Sequence, residues 1–242
     1  MLFRKTFSTI VTFLLLFSIS SCKKESPVEY PPYPPPIETG TVTDIDGNSY
    51  RTVKIGNQWW MAENLKTTKY RNGDPIPNVT DNSTWAALAT PAYCWYENNN
   101  SAHGTVYGAL YNWYAVDAAS NGNRNICPVG WHIPTEADWT KLTTYLGSAS
   151  QAGGKMKEAG TSHWTAPNTG ATNSSGFNAL PGGYRGYTSG AFGNIGIFGH
   201  WWSSTQADAS LAWGEGLFNQ ENSADHSTSA KKNGFSIRCV RD

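Results

Sequence analysis

The sequence predicts a domain of short strands, two helices and long ordered loops. The chain of 242 residues holds 11 tryptophans, 12 tyrosines and 24 glycines, and only 15% of its residues are charged. This composition is typical of aromatic side chains packed between short strands rather than of a helical bundle. A turn-rich segment at 41–61 supplies strands, and a well-marked helix start at residue 134 supplies a helix.

Residues 41–61 (TVTDIDGNSYRTVKIGNQWWM) predict a three-stranded meander. Residues 46–48 (DGN) supply the first turn, and residues 56–57 (GN) form a two-residue loop of the kind that needs positive backbone angles. Residues 44–48 also look like a fragment of a calcium loop. They lack the later bidentate glutamate of such loops, so we interpret them as turn chemistry and predict no metal site.

The next segments predict loops and a first helix. Residues 66–104 are rich in Asn, Thr, Pro and Asp, which favours ordered loops around a short strand at 93–96. Residues 108–119 (GALYNWYAVDAA) then place apolar side chains at three- and four-residue spacing. This spacing predicts an amphipathic helix whose aromatic residues belong to the core.

The clearest helix start lies at residues 134–139 (PTEADW). The Thr135 hydroxyl can cap free backbone amides, and Asp138 can reach back to complete a capping box. Gly147 follows at a position that favours a left-handed backbone and ends the helix. Three apolar residues share the buried face of this helix: Trp139, Leu142 and Leu146.

Residues 153–200 are rich in glycine, serine and asparagine, which predicts long loops. No Gly-Lys-Ser/Thr follows any glycine cluster, and the strand, glycine turn and helix of a Rossmann unit are missing, so nucleotide binding has no support. Residues 200–205 (HWWSST) and 234–240 (GFSIRCV) predict two core strands, the second of which ends the domain.

Residues 1–21 predict a signal peptide. Arg4 and Lys5 precede an apolar stretch of ten residues at 10–19 (IVTFLLLFSI), which is too short for a permanent membrane helix of about 20 residues. Residues 19–22 (ISSC) resemble the bacterial lipobox, in which the cysteine thiol accepts a diacylglyceryl group. The alternative is an ordinary secretory signal. We expect cleavage before Cys22 and lipidation of Cys22, which gives stable membrane attachment.

A tether is predicted between this anchor and the domain. Residues 22–38 are rich in proline, which favours an extended and semi-rigid segment. No second linker follows, so we expect one domain at 39–242. The expected location is the cell envelope, at the outer membrane or the cell surface, where the lipid anchor makes the membrane a partner.

The charge balance bears on possible partners. The chain has 18 basic and 18 acidic residues, and removing Arg4 and Lys5 with the signal leaves 16 against 18, or about −2. Nothing basic is available to neutralise a phosphate backbone, so no nucleic-acid partner is expected.

Three cysteines follow Cys22, namely Cys94, Cys127 and Cys239. Disulfides persist in exported proteins, so one disulfide and one free thiol is the simplest outcome. Spacing alone allows all three pairings.

Six phrases in a fixed order carry a resemblance to a known family. They are DIDGNSYRTVKIGNQWWMAENL (44–65), YGALYNWYAV (107–116), CPVGWHIPTEADW (127–139), GFNALPGGYR (176–185), HWWSST (200–205) and GFSIRCVRD (234–242). Together they resemble the Fibrobacter succinogenes major paralogous domain, which occurs in surface and secreted proteins and lipoproteins of Bacteroidetes and Fibrobacteres. The match covers nearly all of 39–242.

A more distant similarity joins residues 133–139 (IPTEADW) and 234–239 (GFSIRC) to the formylglycine-generating, sulfatase-modifying enzymes. Their fold is a decorated C-type lectin-like one. The similarity therefore implies an α+β fold class, with a C-type lectin-like domain of two helices, short antiparallel sheets and long ordered loops. C-type lectins bridge a cysteine near the helical region to one in the last strand, which implies a disulfide between Cys127 and Cys239.

The chemistry of those enzymes is not apparent in this sequence. The oxidases need a pair of cysteines shortly before the terminal Gly-Phe-x-Arg segment, and residues 140–233 contain no cysteine. The related iron-dependent synthases need a clustered histidine triad, and the five histidines lack metal-ligand spacing. No Gly-x-Ser-x-Gly elbow is present. We therefore predict no catalytic residue, no metal and no cofactor.

Long loops on a stable base commonly carry function, so we place a candidate binding surface in 184–198. The candidate contacts, which can stack on sugar rings or grip another protein, are Tyr184, Arg185, Tyr187, Phe192 and Phe198. The calcium signature of sugar-binding C-type lectins is missing. We expect a membrane-anchored surface lipoprotein whose C-type lectin-like domain binds a polysaccharide or another surface protein. The alternatives are a structural or adhesive protein without a small ligand and a divergent enzyme of the sulfatase-modifying fold.

Overall fold

The computed structural model describes residues 36–242, and within them the chain forms eleven strands and five α-helices. The strands are β1 (Thr39–Thr43), β2 (Ser49–Ile55), β3 (Gln58–Met61), β4 (Tyr93–Cys94), β5 (Leu110–Tyr111), β6 (Gly182–Arg185), β7 (Phe192–Ile195), β8 (Phe198–Gln206), β9 (Leu211–Phe218), β10 (Asp225–Ala230) and β11 (Val240–Arg241). The helices are α1 (Asn82–Ala87), α2 (Thr105–Tyr107), α3 (Ala118–Asn121), α4 (Glu136–Tyr145) and α5 (Ala149–Met156). The predictions for Cys22 and for the signal and tether up to residue 35 lie outside the described residues.

Three sheets organise these strands. The first has the order β1-β2-β3-β11, the second has the order β10-β9-β8-β6-β7, and the third pairs β4 with β5. All pairings are antiparallel except that of β6 with β8. The expected α+β fold class is confirmed, since helices and mainly antiparallel sheets occur together.

The two segments with the clearest local sequence patterns form the predicted elements. Residues 41–61 fold as the meander β1-β2-β3, and Gly56 adopts the positive φ (62°) that its two-residue loop requires. Helix α4 begins with a complete capping box, in which Thr135 and Asp138 each accept a bond from the other's backbone. Gly147 follows it with a φ of 111°. Both signals depend on neighbours in the sequence, which explains why they could be predicted.

The prediction of a helix at 108–119 is wrong. Leu110–Tyr111 instead forms strand β5 against β4, and Trp113–Ala115 forms a single 3₁₀ turn. The Asn112 side chain accepts bonds from Ala92 N (3.0 Å) and Ala115 N (3.3 Å). The bond from Ala115 caps the 3₁₀ turn, whereas the bond from Ala92 ties Asn112 to a segment 20 residues earlier. Tertiary pairing therefore overrides the helical spacing.

Two other predictions need correction. Residues 153–200 are not only loops, since they contain the end of α5 and the hairpin of β6 and β7. Residues 234–240 do not form one continuous strand. Residues 234–236 instead bridge β6, β5 and β8 in turn, and the final strand is only Val240–Arg241. The terminal segment crosses from one sheet to another, so no single partner strand can continue its ladder.

The core consists of aromatic clusters on both sides of β8. Trp201 and Trp202 are both fully buried, and because successive strand residues face opposite sides, they belong to different clusters. Trp201 lies with α4 and α5, whereas Trp202 lies with β5 and the terminal segment. The Cys127–Cys239 disulfide implied by the resemblance is present. Cys94 is a buried free thiol, and burial raises its pKa to about 12.

Candidate functional site

A pocket opens on one face of the five-stranded sheet. It lies between the β6–β7 hairpin and strand β10, with β8 and β9 beneath it, and its volume is about 480 Å³. This volume falls within the range of small-molecule sites, roughly 300–1,000 Å³. The pocket is therefore large enough to take a ligand.

One wall of the pocket is aromatic. The Phe198 ring stacks on Phe218 with centroids 4.5 Å apart, and Tyr184 meets the Phe198 ring edge-on at 6.2 Å. Such contacts hold the rings of the wall in place. The rings that line this wall are Tyr184, Tyr187, Phe192, Phe198, Phe218 and Phe235.

The opposite wall is polar. Alternate residues of β10, Asp225, Ser227 and Ser229, point to the pocket side of the sheet because side chains alternate along a strand. Ser227 Oγ donates to Asp225 Oδ2 (2.9 Å), and Asn233 Oδ1 accepts from the Tyr187 backbone N–H (2.9 Å). The pocket thus sets carboxylate and hydroxyl groups opposite aromatic rings, with the Asn233 amide beside Tyr187.

The floor is formed by His200 above two glycines of β9. In the register, His200 lies opposite Gly216 and Trp202 lies opposite Gly214. A Cβ on Gly214 would lie 2.7 Å from His200 Nε2 and 2.8 Å from the carbonyl oxygen of Trp201. The missing side chain therefore provides the space in which the imidazole sits.

His200 is buried without a polar partner. Its side chain is 3% exposed, its ring stacks on Phe235 at 3.9 Å, and within residues 36–242 neither ring nitrogen has a hydrogen-bond partner. Burial lowers the pKa of His200 to about 3. The imidazole is therefore neutral at physiological pH.

On the opposite face of the sheet, side-chain contacts connect β9 with β10. His226 Nδ1 lies 3.1 Å from Glu215 Oε2, and His226 Nε2 lies 3.4 Å from Glu136 Oε1, an ion-pair distance rather than a short hydrogen bond. Trp213 stacks on the His226 ring at 4.8 Å. Burial raises the pKa of Glu215, and the bond to Glu215 raises the pKa of His226. These contacts link the strand that carries the polar wall to β9 and helix α4.

Four of the five candidate contacts lie together in this pocket, namely Tyr184, Tyr187, Phe192 and Phe198. Arg185 does not, and its assignment as a ligand contact is wrong. It is fully buried, and its guanidinium donates to the carbonyls of residues 79, 80 and 190 and to Asn82 Oδ1. It alternates with Tyr184 along β6 and so points to the other side of the strand.

Sequence reasoning missed the floor and the polar wall. His200 was assigned only to a core strand, and β9 and β10 were not predicted. Two patterns with a period of two residues, which is typical of strands, mark β9 and β10 in the sequence. Residues 211–218 (LAWGEGLF) alternate glycine with larger residues, and residues 225–229 (DHSTS) alternate Asp, Ser and Ser with other residues.

Neither a metal centre nor a membrane span is evident in the part of the chain that the structure describes. Among residues 36–242, His, Cys, Asp and Glu side chains do not gather in any group of three or more that could hold a metal ion. The Asp44 carboxylate instead accepts bonds from Asp46, Asn48 and Tyr50 within its turn. None of the helices in this range combines the length and apolar character needed to cross a membrane.

A comparison with known protein families tests the resemblance to the Fibrobacter succinogenes major paralogous domain. The family model described as the Fibrobacter succinogenes major domain matches residues 53–241. The chain belongs to the Fibrobacter succinogenes major domain family. The matched range of this domain begins in β2 and ends in β11, so it contains the whole pocket. No curated protein and no solved structure matched the chain in the two other comparisons.

Proposed function

We propose that this protein is a lipid-anchored envelope protein that binds a polysaccharide in the pocket on its five-stranded sheet. The observation that carries the proposal is the pairing of an aromatic wall with a polar wall. A sugar ring has an apolar C–H face and an edge of hydroxyl groups. The aromatic wall suits the face, and the carboxylate and hydroxyl groups of the polar wall suit the edge.

A C-type lectin-like arrangement is part of this proposal. It is supported by the mixture of helices and antiparallel sheets, by the long irregular segments, and by the disulfide that joins the segment before α4 to the segment before β11. A crystal structure tests the arrangement by superposition on C-type lectins, and a different order of strands would refute it.

The polysaccharide proposal predicts that Tyr187→Ala weakens binding about tenfold. Tyr187 is 48% exposed, so its removal takes away an aromatic face without opening the core. Losing one stacking face costs roughly 1–1.5 kcal/mol, which corresponds to about tenfold in affinity. A glycan array with the purified protein identifies a ligand, and titration calorimetry then compares the variants.

Tyr145→Ala is the matched control. Tyr145 is 66% exposed on α4, away from the pocket lining, so its removal is expected to leave the affinity unchanged. Equal affinities for the Tyr187→Ala variant and the unaltered protein would remove the support for this pocket. Absence of binding to every glycan would favour a structural or adhesive role.

The anchor is proposed from residues 19–22 (ISSC) and the proline-rich segment that follows. Cells that express the protein and are fed a radiolabelled fatty acid should incorporate label into it, and the Cys22→Ala variant should lose both the label and its place in the membrane fraction. Ser21→Ala keeps a small residue before the cysteine and should retain both. Label in the Cys22→Ala variant would contradict lipidation at this residue.

A further inference from the structure

Strand β10 lies at the edge of the five-stranded sheet, where a backbone ladder joins it to β9. Elements with few attachments open locally more easily than the core of a protein. This strand nevertheless carries the polar wall of the pocket, since Asp225, Ser227 and Ser229 lie on its pocket side. The geometry of the polar wall therefore depends on the side-chain contacts that fasten the other side of β10.

His226 makes those contacts. It alternates along the strand with the residues of the polar wall, so its ring points away from the pocket. Its Nδ1 lies 3.1 Å from Glu215 Oε2 on β9, and its Nε2 lies 3.4 Å from Glu136 Oε1 at the start of α4. Trp213 of β9 stacks on the ring with the two planes 4° apart. The imidazole is thus held between two carboxylates that belong to two different elements.

The charge of Glu215 depends on His226. The Glu215 side chain is 1% exposed, and within residues 36–242 its Oε2 contacts His226 while its Oε1 has no hydrogen-bond partner. A buried carboxylate is costly in its charged form unless a cation or several donors compensate it. A protonated imidazole supplies that compensation. When the ring loses its proton, both ion pairs are lost, and the buried carboxylate faces a neutral group.

We propose that His226 is the positioning residue of the polar wall, whose protonated ring fastens β10 to β9 and α4 and so makes ligand binding tighter in mildly acidic than in alkaline solution. Loss of the proton allows β10 to open more often from the edge of the sheet. The effect on binding rests on the proposed polysaccharide site. The opening of the strand is independent of any ligand.

The direction of the pH dependence follows from the charged groups around the ring. The bond to Glu215 raises the pKa of His226 above its ordinary value of 6.5 against the opposing effect of burial, and Glu136 adds to the rise. The folded protein therefore binds this proton more tightly than the unfolded chain does. The resulting stabilisation is complete below about pH 6.5 and is lost as the pH rises through the folded-state pKa of His226. Burial raises the pKa of Glu215, and the nearby Asp225 adds to that rise, which gives a dependence of the same sign.

Hydrogen exchange of the β10 amides tests the fastening of the strand without a ligand. Protection factors, which correct for the intrinsic pH dependence of exchange, are expected to fall about threefold in β10 between about pH 6 and pH 9, and to fall less in the central strand β8. The ring resonances of His226 should titrate with a midpoint above pH 6.5. His226→Gln keeps a polar side chain without a titrating charge, so its β10 protection is expected to be low at both pH values.

Two further variants sharpen the test. His103→Gln is the matched control, because His103 forms its ion pair with Glu97 at 3.3 Å outside the sheet, and this variant should retain the pH dependence. Glu136→Gln is the milder change, since the Glu136 side chain is 42% exposed. Removing this carboxylate should lower the midpoint of His226 and the pH at which β10 protection is lost by the same amount.

The saccharide that binds best on the glycan array is then titrated at the two pH values. The unaltered protein is expected to bind it about threefold more weakly at the higher pH, and the His226→Gln variant should show no such difference. Equal β10 protection at both pH values, or a midpoint that Glu136→Gln leaves unchanged, would overturn the inference and leave the saccharide site standing.

Two other outcomes separate the inference from the proposed function. An affinity that is equal at both pH values while β10 protection changes would overturn the control of the pocket by His226. Failure of every saccharide to bind would overturn the proposed function and the control of binding with it, whereas pH-dependent protection of β10 would still support the fastening of the strand by His226.

Discussion

Replacing Arg238 with methionine is expected to lower the free energy of unfolding by about 3–5 kcal/mol. The Arg238 guanidinium is fully buried and donates to Asn64 Oδ1 (2.8 Å), to Asn178 O (2.9 Å), and to the carbonyls of Met61 and Phe177. Methionine retains the apolar stem of the side chain. The loss therefore reports the charge-assisted bonds and the buried acceptors left without a donor.

Urea denaturation followed by tryptophan fluorescence measures this change. Arg51→Met is the matched control because the Arg51 side chain is 67% exposed and forms a surface ion pair with Glu63 at 3.0 Å. Such pairs contribute at most about 1 kcal/mol. Equal losses in the Arg238→Met and Arg51→Met variants would contradict a stabilising contribution from the buried hydrogen bonds of Arg238.

Removing the disulfide is the second change with a large expected effect. Cys127 and Cys239 are 112 residues apart in the sequence, so the bond constrains a long loop of the unfolded chain. The chain-entropy model gives about 4–5 kcal/mol for a loop of this length, within the usual range of about 2–5 kcal/mol for native disulfides. We expect the Cys127→Ala/Cys239→Ala double variant to lose stability on that scale in the same denaturation assay.

Cys94→Ala supplies the comparison for the disulfide. Cys94 is buried and forms no disulfide, so its substitution removes only a small buried side chain, with an expected cost of about 1 kcal/mol. The unaltered protein treated with a reductant should resemble the double variant. A double variant as stable as the Cys94→Ala variant would show that the disulfide adds nothing beyond the packing of its sulfur atoms.

Local signals in the sequence predicted the parts of the fold that neighbours determine. The cap at Thr135 and Asp138 and the turns of the meander require only adjacent residues, and both formed as expected. The helix expected at 108–119 failed because strand β5 pairs with β4, whose residues lie earlier in the chain. Long-range pairing of this kind leaves no periodic signal in a single sequence.

The candidate site was predicted on one side only. Tyr184, Phe192 and Phe198 come together because β6, β7 and β8 are neighbours in one sheet, and their aromatic composition marked the region in the sequence. The polar wall came from β10, which reaches the pocket only through its pairing with β9. Arg185 could not be told from a surface residue by sequence, since its burial depends on carbonyls about 105 residues earlier.

The most direct test of the saccharide site is a crystal structure of the protein grown with the saccharide that binds best on the glycan array. The predicted result is a sugar ring against the aromatic wall, with hydroxyl groups within hydrogen-bond distance of Asp225 and Ser227. A saccharide bound on another face of the domain, with the pocket on the five-stranded sheet empty, would contradict the account.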